Sequence, residues 1–92
     1  MGDYRVFETE QFSKDLRAIA RAGQQRIVKR LGETVYPQLR RCPHFGPNIK
    51  KLRAYDPETR RFRIGRWRFF YEIDDAQRVI YMTAASHRES AY

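Results

Sequence analysis

Ninety-two residues, 41% apolar and 14% aromatic, suffice for one folded domain and are too apolar for a disordered tail. No apolar run approaches the roughly 18 residues of a membrane span, and the opening residues lack the apolar segment of a secretory signal. One cysteine, Cys42, builds no internal disulfide framework, so a single domain over residues 1–92 in a reducing cytoplasm is expected.

The charge is more informative. Nineteen Lys+Arg against eleven Asp+Glu leave +8, which favours a polyanionic partner. The excess is concentrated. Between Lys50 and Arg68 eight basic residues (Lys50, Lys51, Arg53, Arg60, Arg61, Arg63, Arg66, Arg68) face two acids, Asp56 and Glu58, so this stretch carries +6.

In chain order, Tyr4–Glu8 alternates and reads as a strand. Thr9 is the expected N-cap of a helix whose apolar face is Phe12, Leu16, Ile19 and Ala20, with Gly23 as its stop. Ile27, Val28, Leu31 and Val35 give a second helical stripe, which Pro37 is expected to end or kink. The two helices read as an αα-hairpin, and the stripes as core rather than a cofactor box.

Cys42 to Asn48 is a loop by its Pro, Gly and Asn content. Cys42 and His44 have no second His/Cys pair to complete a zinc site, and no metal is expected. Arg60–Ile64 and Trp67–Asp74 then alternate as strands around Gly65-Arg66, which fits a type II′ hairpin turn. Gln77–Ala85 is a further strand, reached through an Asp74-Asp75-Ala76 turn. The fold class is therefore α+β: an N-terminal strand, an αα-hairpin packed on one sheet face, an antiparallel meander and a short C-terminal tail.

A two-residue turn sets the pairing by arithmetic: Ile64 with Trp67, Arg63 with Arg68, Phe62 with Phe69, Arg61 with Phe70. Phe62, Ile64, Trp67, Phe69, Tyr71 and Ile73 then share the face that covers the helices. Arg61, Arg63, Arg68, Phe70 and Glu72 share the other. Like charges directly opposed destabilise a sheet, so Arg63 facing Arg68 suggests an anionic ligand. The alternative is a solvated face with Glu72 or the aspartates as counter-charges. An aromatic among arginines suits single-stranded nucleic acid, whose bases stack while guanidiniums hold phosphates. Spacing alone does not choose RNA over DNA, or catalysis over binding.

Four stretches in order resemble the RelE/ParE superfamily of toxins. Thr9–Leu16 resembles its first-helix motif, and Ile49–Leu52 the loop before its second strand. Arg61–Tyr71 resembles the stretch R-L-R-V-G-x-Y-R-V-x-Y, and His87–Tyr92 the closing H-R-x-x-x-Y. Members of the RelE kind cut messenger RNA in the ribosomal decoding site and are held by an antitoxin. Those of the ParE kind poison DNA gyrase and are not nucleases.

The resemblance implies a RelE-like mRNA interferase with Arg61, Arg63, Arg68, Arg88 and Tyr92 in catalytic positions. Arginine stands at 61 and 63 where some members carry lysine, and arginine stays protonated, which speaks against either as proton acceptor. Trp67 replaces the usual tyrosine. Tyr92 is the candidate base and Arg88 the leaving-group stabiliser. His87 is a rival acid or base, or equally a turn residue, and Glu72 is a weaker alternative base. Lys50, Lys51, Arg53, Arg60, Arg66 and Phe70 are expected RNA contacts. No Asp/Glu/His cluster of metal-ligand type accompanies them, so the expected chemistry is metal-free and needs no cofactor. The expected partners are mRNA at the ribosome and an antitoxin with an acidic segment. The alternative function is a ParE-like gyrase inhibitor without nuclease activity; a basic, non-toxic nucleic-acid-binding relative is a third.

Overall fold

A threonine makes the first connection between helix and sheet. In the computed structural model, which describes residues 3–87, strand β1 (Arg5–Glu8) runs directly into helix α1 (Glu10–Arg21). The Thr9 side chain caps α1 by accepting from the Phe12 N–H at 3.3 Å, and donates to the Met82 carbonyl at 3.0 Å. At the other end Gly23 adopts φ +85°, and the Gly23 and Gln24 N–H groups return to the Ala20 and Ile19 carbonyls. That is a Schellman ending, which needs a left-handed residue and finds glycine there.

The second helical segment differs from expectation. Helix α2 (Gln25–Arg30) passes through one π-helical turn (Leu31–Val35) and continues as α3 (Tyr36–Arg41). Pro37 therefore does not end the helix. A proline inside a helix lacks its N–H and crowds the carbonyl four residues back. The widened turn ahead of Pro37, closed by the Tyr36 N–H on the Leu31 carbonyl, is where the helix absorbs it.

Three further strands complete a meander: β3 (Arg60–Ile64), β4 (Trp67–Asp74) and β5 (Val79–His87). A short strand, β2 (Ile49–Lys51), lies at the edge beside β3. Within the expected loop at Ile49–Leu52, Ile49–Lys51 is thus corrected to a strand, whose two lysines suit an exposed edge. The sheet order is β1-β5-β4-β3-β2, antiparallel except for the parallel β1–β5 pair. Strand β5 starts two residues later than expected because Arg78 takes φ +59° and prolongs the turn. There Asp74 Oδ1 accepts from the Gln77 N–H at 3.0 Å.

The helices cover one sheet face, as the α+β reading requires. Phe12, Leu39, Phe69, Tyr71, Ile80 and Met82 are fully buried between the layers. Each such side chain contributes roughly 1.5–3 kcal/mol of burial. The buried Tyr71 hydroxyl donates to the Pro43 carbonyl at 2.8 Å, fixing the Cys42–Asn48 loop to the core. No helix among the described residues is long and apolar enough to cross a membrane.

Candidate nucleic-acid interface

The hairpin between β3 and β4 turns at Gly65, which has φ +57° while Arg66 does not enter the left-handed region, as in a type II′ turn. Its register is the expected one: Ile64 with Trp67, Arg63 with Arg68, Phe62 with Phe69 and Arg61 with Phe70. Phe62, Ile64 and Phe69 are buried against the helices, so the arginines lie on the uncovered face. Pairing to the neighbouring strands extends two rows across that face. Arg63, Arg68 and Ser86 form one; Lys50, Arg61, Phe70 and Ala84 form the next.

The first row has no acid in it. Arg63 is exposed and Arg68 half-buried. Arg68 Nη1 and Ser86 Oγ are both buried and have no hydrogen-bond partner among the described residues. Leaving a buried donor unpaired costs about 1–3 kcal/mol, and more for a charged one. An anionic oxygen is the acceptor that such a row lacks.

Several expected RNA contacts lie elsewhere. Arg60 is buried on the helix side, opposite Tyr71; it holds Glu58 at 2.7 Å and donates through Nε to the His44 carbonyl at 3.1 Å. It anchors the 42–48 loop, which corrects its assignment as an RNA contact. Lys51 pairs opposite Arg60 and reaches Glu58 at 3.6 Å. Arg53 is exposed after β2, and Arg66 is exposed at the hairpin tip. His87 pairs with Trp67, their rings T-shaped at 5.0 Å, and so points away from Arg63 and Arg68. Arg88 and Tyr92 fall outside the described residues.

Three features were not anticipated. Ser86 joins the arginine row only through the β4–β5 register, which shifts between Phe70 and Tyr71 and leaves Thr83 as the extra residue. At the sheet's far end the Tyr4 hydroxyl donates to Asp75 Oδ1 at 2.5 Å, and His44 Nε2 lies 3.0 Å from the same oxygen. The Tyr4 hydrogen bond, then His44, holds the Asp75 carboxyl below the usual range. The third is a cleft of about 400 Å³ beside Phe70 and Glu72. Among the described residues no three His, Cys, Asp or Glu side chains converge as a metal set.

The match to known proteins follows this geometry. The family model of the ParE toxin of the type II toxin–antitoxin system, parDE, matches residues 2–92. The chain belongs to this toxin family. The RelBE2 toxin–antitoxin complex from Mycobacterium tuberculosis superimposes with a TM-score of 0.76 at 28% identity, covering 94% of this chain and 99% of that one. The archaeal RelE–RelB complex from Pyrococcus horikoshii gives 0.62 at 23%, covering 97% and 99%. The Escherichia coli DinJ–YafQ complex gives 0.73 at 14%, covering 98% and 98%. The last two show a shared fold. No curated protein matches in sequence. The chain is a RelE/ParE-type toxin with an α+β fold, and the three relatives named here are toxin–antitoxin complexes.

Proposed function

We propose that this toxin is a ribosome-dependent endoribonuclease that cuts mRNA in the decoding site and so stops translation in the cytoplasm. The observation that carries this reading is the acid-free row of Arg63, Arg68 and Ser86, with the buried Nη1 of Arg68 that has no partner among the described residues. In the reaction a ribose 2′-oxygen attacks the adjacent phosphorus and the P–O5′ bond breaks. The products are a 2′,3′-cyclic phosphate and a 5′-hydroxyl. Charge accumulates on the phosphorane oxygens, where preorganised guanidiniums stabilise it. Arg61, Arg63 and Arg68 take that role, and Arg88 stabilises the leaving oxygen. Tyr92 removes the 2′-proton, and the departing 5′-oxygen takes up a proton from solvent to become the 5′-hydroxyl. Lys50 and Phe70 extend the contact to the next nucleotide. An antitoxin meets this face with an acidic segment.

The test is primer extension on mRNA from ribosomes incubated with the toxin, with end-group analysis of the 3′ fragments. Cleavage within A-site codons leaving 2′,3′-cyclic phosphate ends supports the reading. The family match also favours a second reading, gyrase poisoning, because the matching model is the ParE one. Supercoiling by purified gyrase distinguishes them. Loss of supercoiling with intact mRNA would replace the nuclease reading by the ParE one.

A further inference from the structure

The uncovered sheet face changes character along β4. At the turn end it is cationic, through Arg63 and Arg68, and the charge continues along one flank of the next row through Arg61 and Lys50. Two residues further along, Phe70 and Ala84 line the cleft of about 400 Å³, together with Tyr55, Asp56, Pro57 and Glu72. Beyond it the next hollow is lined by Glu72, Asp74 and Asp75, and by Glu58, which is paired with Arg60 and Lys51. The cleft therefore sits on the boundary between a cationic and an anionic surface.

That boundary orients an RNA strand. Its phosphates are drawn to the arginine end and repelled from the acidic end, so the backbone runs along the former and a base projects toward the latter. Residues on one face of a strand recur about every 6.8 Å, so Phe70 lies one such step from Arg68. One ribose unit spans that step. The cleft has the size of a small-ligand site, with exposed Tyr55 on its wall and half-buried Phe70 on its inner side. Such rings offer stacking surfaces to any base.

The polar groups narrow the choice. The carboxylates of Glu72 and Asp56 accept hydrogen bonds and donate none when ionised. Guanine presents two adjacent donors, N1–H and N2–H, which match the two oxygens of one carboxylate. Adenine and cytosine place a ring acceptor beside their amino group, and uracil flanks its single N–H with two carbonyls. Each of these sets a lone pair against the carboxylate. We infer that the Tyr55–Phe70–Glu72 cleft is a base-binding site selective for guanine in the nucleotide next to the phosphate held by the arginine row.

This inference rests on the RNA-cleaving reading for its substrate, and two measurements separate the two. The first is cleavage on ribosomes programmed with A-site codons that differ in one base beside the scissile phosphate. The native chain should prefer guanine roughly tenfold or more, and Glu72→Gln should collapse that ratio. Equal rates for all four bases, or a Glu72→Gln variant that loses rate uniformly with its preference intact, would overturn the guanine assignment and leave nuclease activity standing. The second needs no ribosome. In an NMR titration 3′-GMP should shift the Tyr55, Phe70 and Ala84 amides, whereas 3′-AMP and 3′-UMP at equal concentration should not, and Tyr55→Ala should abolish the response. Identical responses to the three nucleotides, or none at these amides, would reject the cleft even if mRNA is cut. A selective response to GMP with no cleavage on any codon would keep the cleft and reject the enzymatic reading.

Discussion

Arg63 stands directly opposite Arg68 across the β3–β4 hairpin, on the sheet face that no helix covers. Directly opposed like charges destabilise an antiparallel pair by a few tenths of a kcal/mol to about 1 kcal/mol. The row supplies no compensating acid, since its third member is Ser86. A cost of this kind persists where binding an anion gives something in return.

The first prediction follows from that pairing. Arg63→Ala and Arg68→Ala should leave thermal stability unchanged or raise it by a few degrees, because the repulsion is relieved. Both should cut mRNA cleavage by about 10²-fold or more, because each removes charge from the transition-state clamp. Differential scanning fluorimetry beside ribosome cleavage assays checks both halves. A variant that unfolds marks the pair as structural and removes the site.

Much of this face was legible because a two-residue turn and a period of two leave no freedom in the pairing. The same arithmetic, carried one residue further, places Arg60 opposite the core residue Tyr71, so a buried arginine was within reach of the sequence. His87 was not. Its side depends on the extra residue at Thr83, and nothing in Gln77–Ala85 signals a bulge. Strand β2 escaped because three residues, two of them lysine, are too few to show alternation. Pro37 misled because the helix absorbs it in a π turn, with Leu31, Val35, Tyr36 and Leu39 buried along the continued helix, and nothing in the local pattern signals that turn. The Tyr4–Asp75–His44 cluster joins residues 71 apart and has no local pattern at all.

Tyr92 gives the second prediction. If its hydroxyl moves the 2′-proton, Tyr92→Phe should lower the single-turnover cleavage rate by roughly 10²-fold or more while ribosome binding persists. Native-rate cleavage by the phenylalanine variant would place the base elsewhere. Glu72 lies on the arginine face, whereas His87 points away from it.

Stability should fall at both pH extremes, for different groups. Asp75 is depressed by Tyr4 and His44, so its contribution is complete above the unfolded value near 4 and is lost as pH falls through the lower folded value. Tyr36 and Tyr71 are raised, chiefly by burial, and Tyr4 chiefly by its hydrogen bond to Asp75. Their contribution is complete below about pH 10 and declines as pH rises toward the folded values. Urea midpoints measured from pH 2 to 12 should show both declines, and Asp75→Asn should weaken the acid one. An Asp75→Asn acid limb identical to the native one would remove Asp75 from this account.

Tyr71→Phe tests the loop anchor. It deletes the donor to the Pro43 carbonyl in a buried site, which should cost about 1–3 kcal/mol by denaturant unfolding. The arginine row sits on the opposite face, so cleavage by the folded variant should be nearly native. An unchanged midpoint would mean that water replaces the bond without loss.

The antitoxin supplies the final prediction. The stretch from Lys50 to Arg68 holds eight basic residues against two acidic ones, and the Arg63–Arg68 row faces away from the helices. A partner that neutralises this face carries carboxylates on a segment that folds as it binds, because a preformed acidic surface would repel itself. Attraction between such surfaces acts over a Debye length, about 30 Å at 0.01 M salt and about 8 Å at 0.15 M. Association should therefore slow by tenfold or more between those ionic strengths, while dissociation changes far less. Stopped-flow mixing of the toxin with its co-encoded antitoxin across a salt series measures this. Arg63→Ala and Arg68→Ala should each flatten the salt dependence, since each removes one charge from the steering face. An on-rate indifferent to salt, or an antitoxin complex in which oligonucleotides still shift the Arg63 and Arg68 resonances, would mean that the antitoxin docks elsewhere and inhibits without covering the arginines.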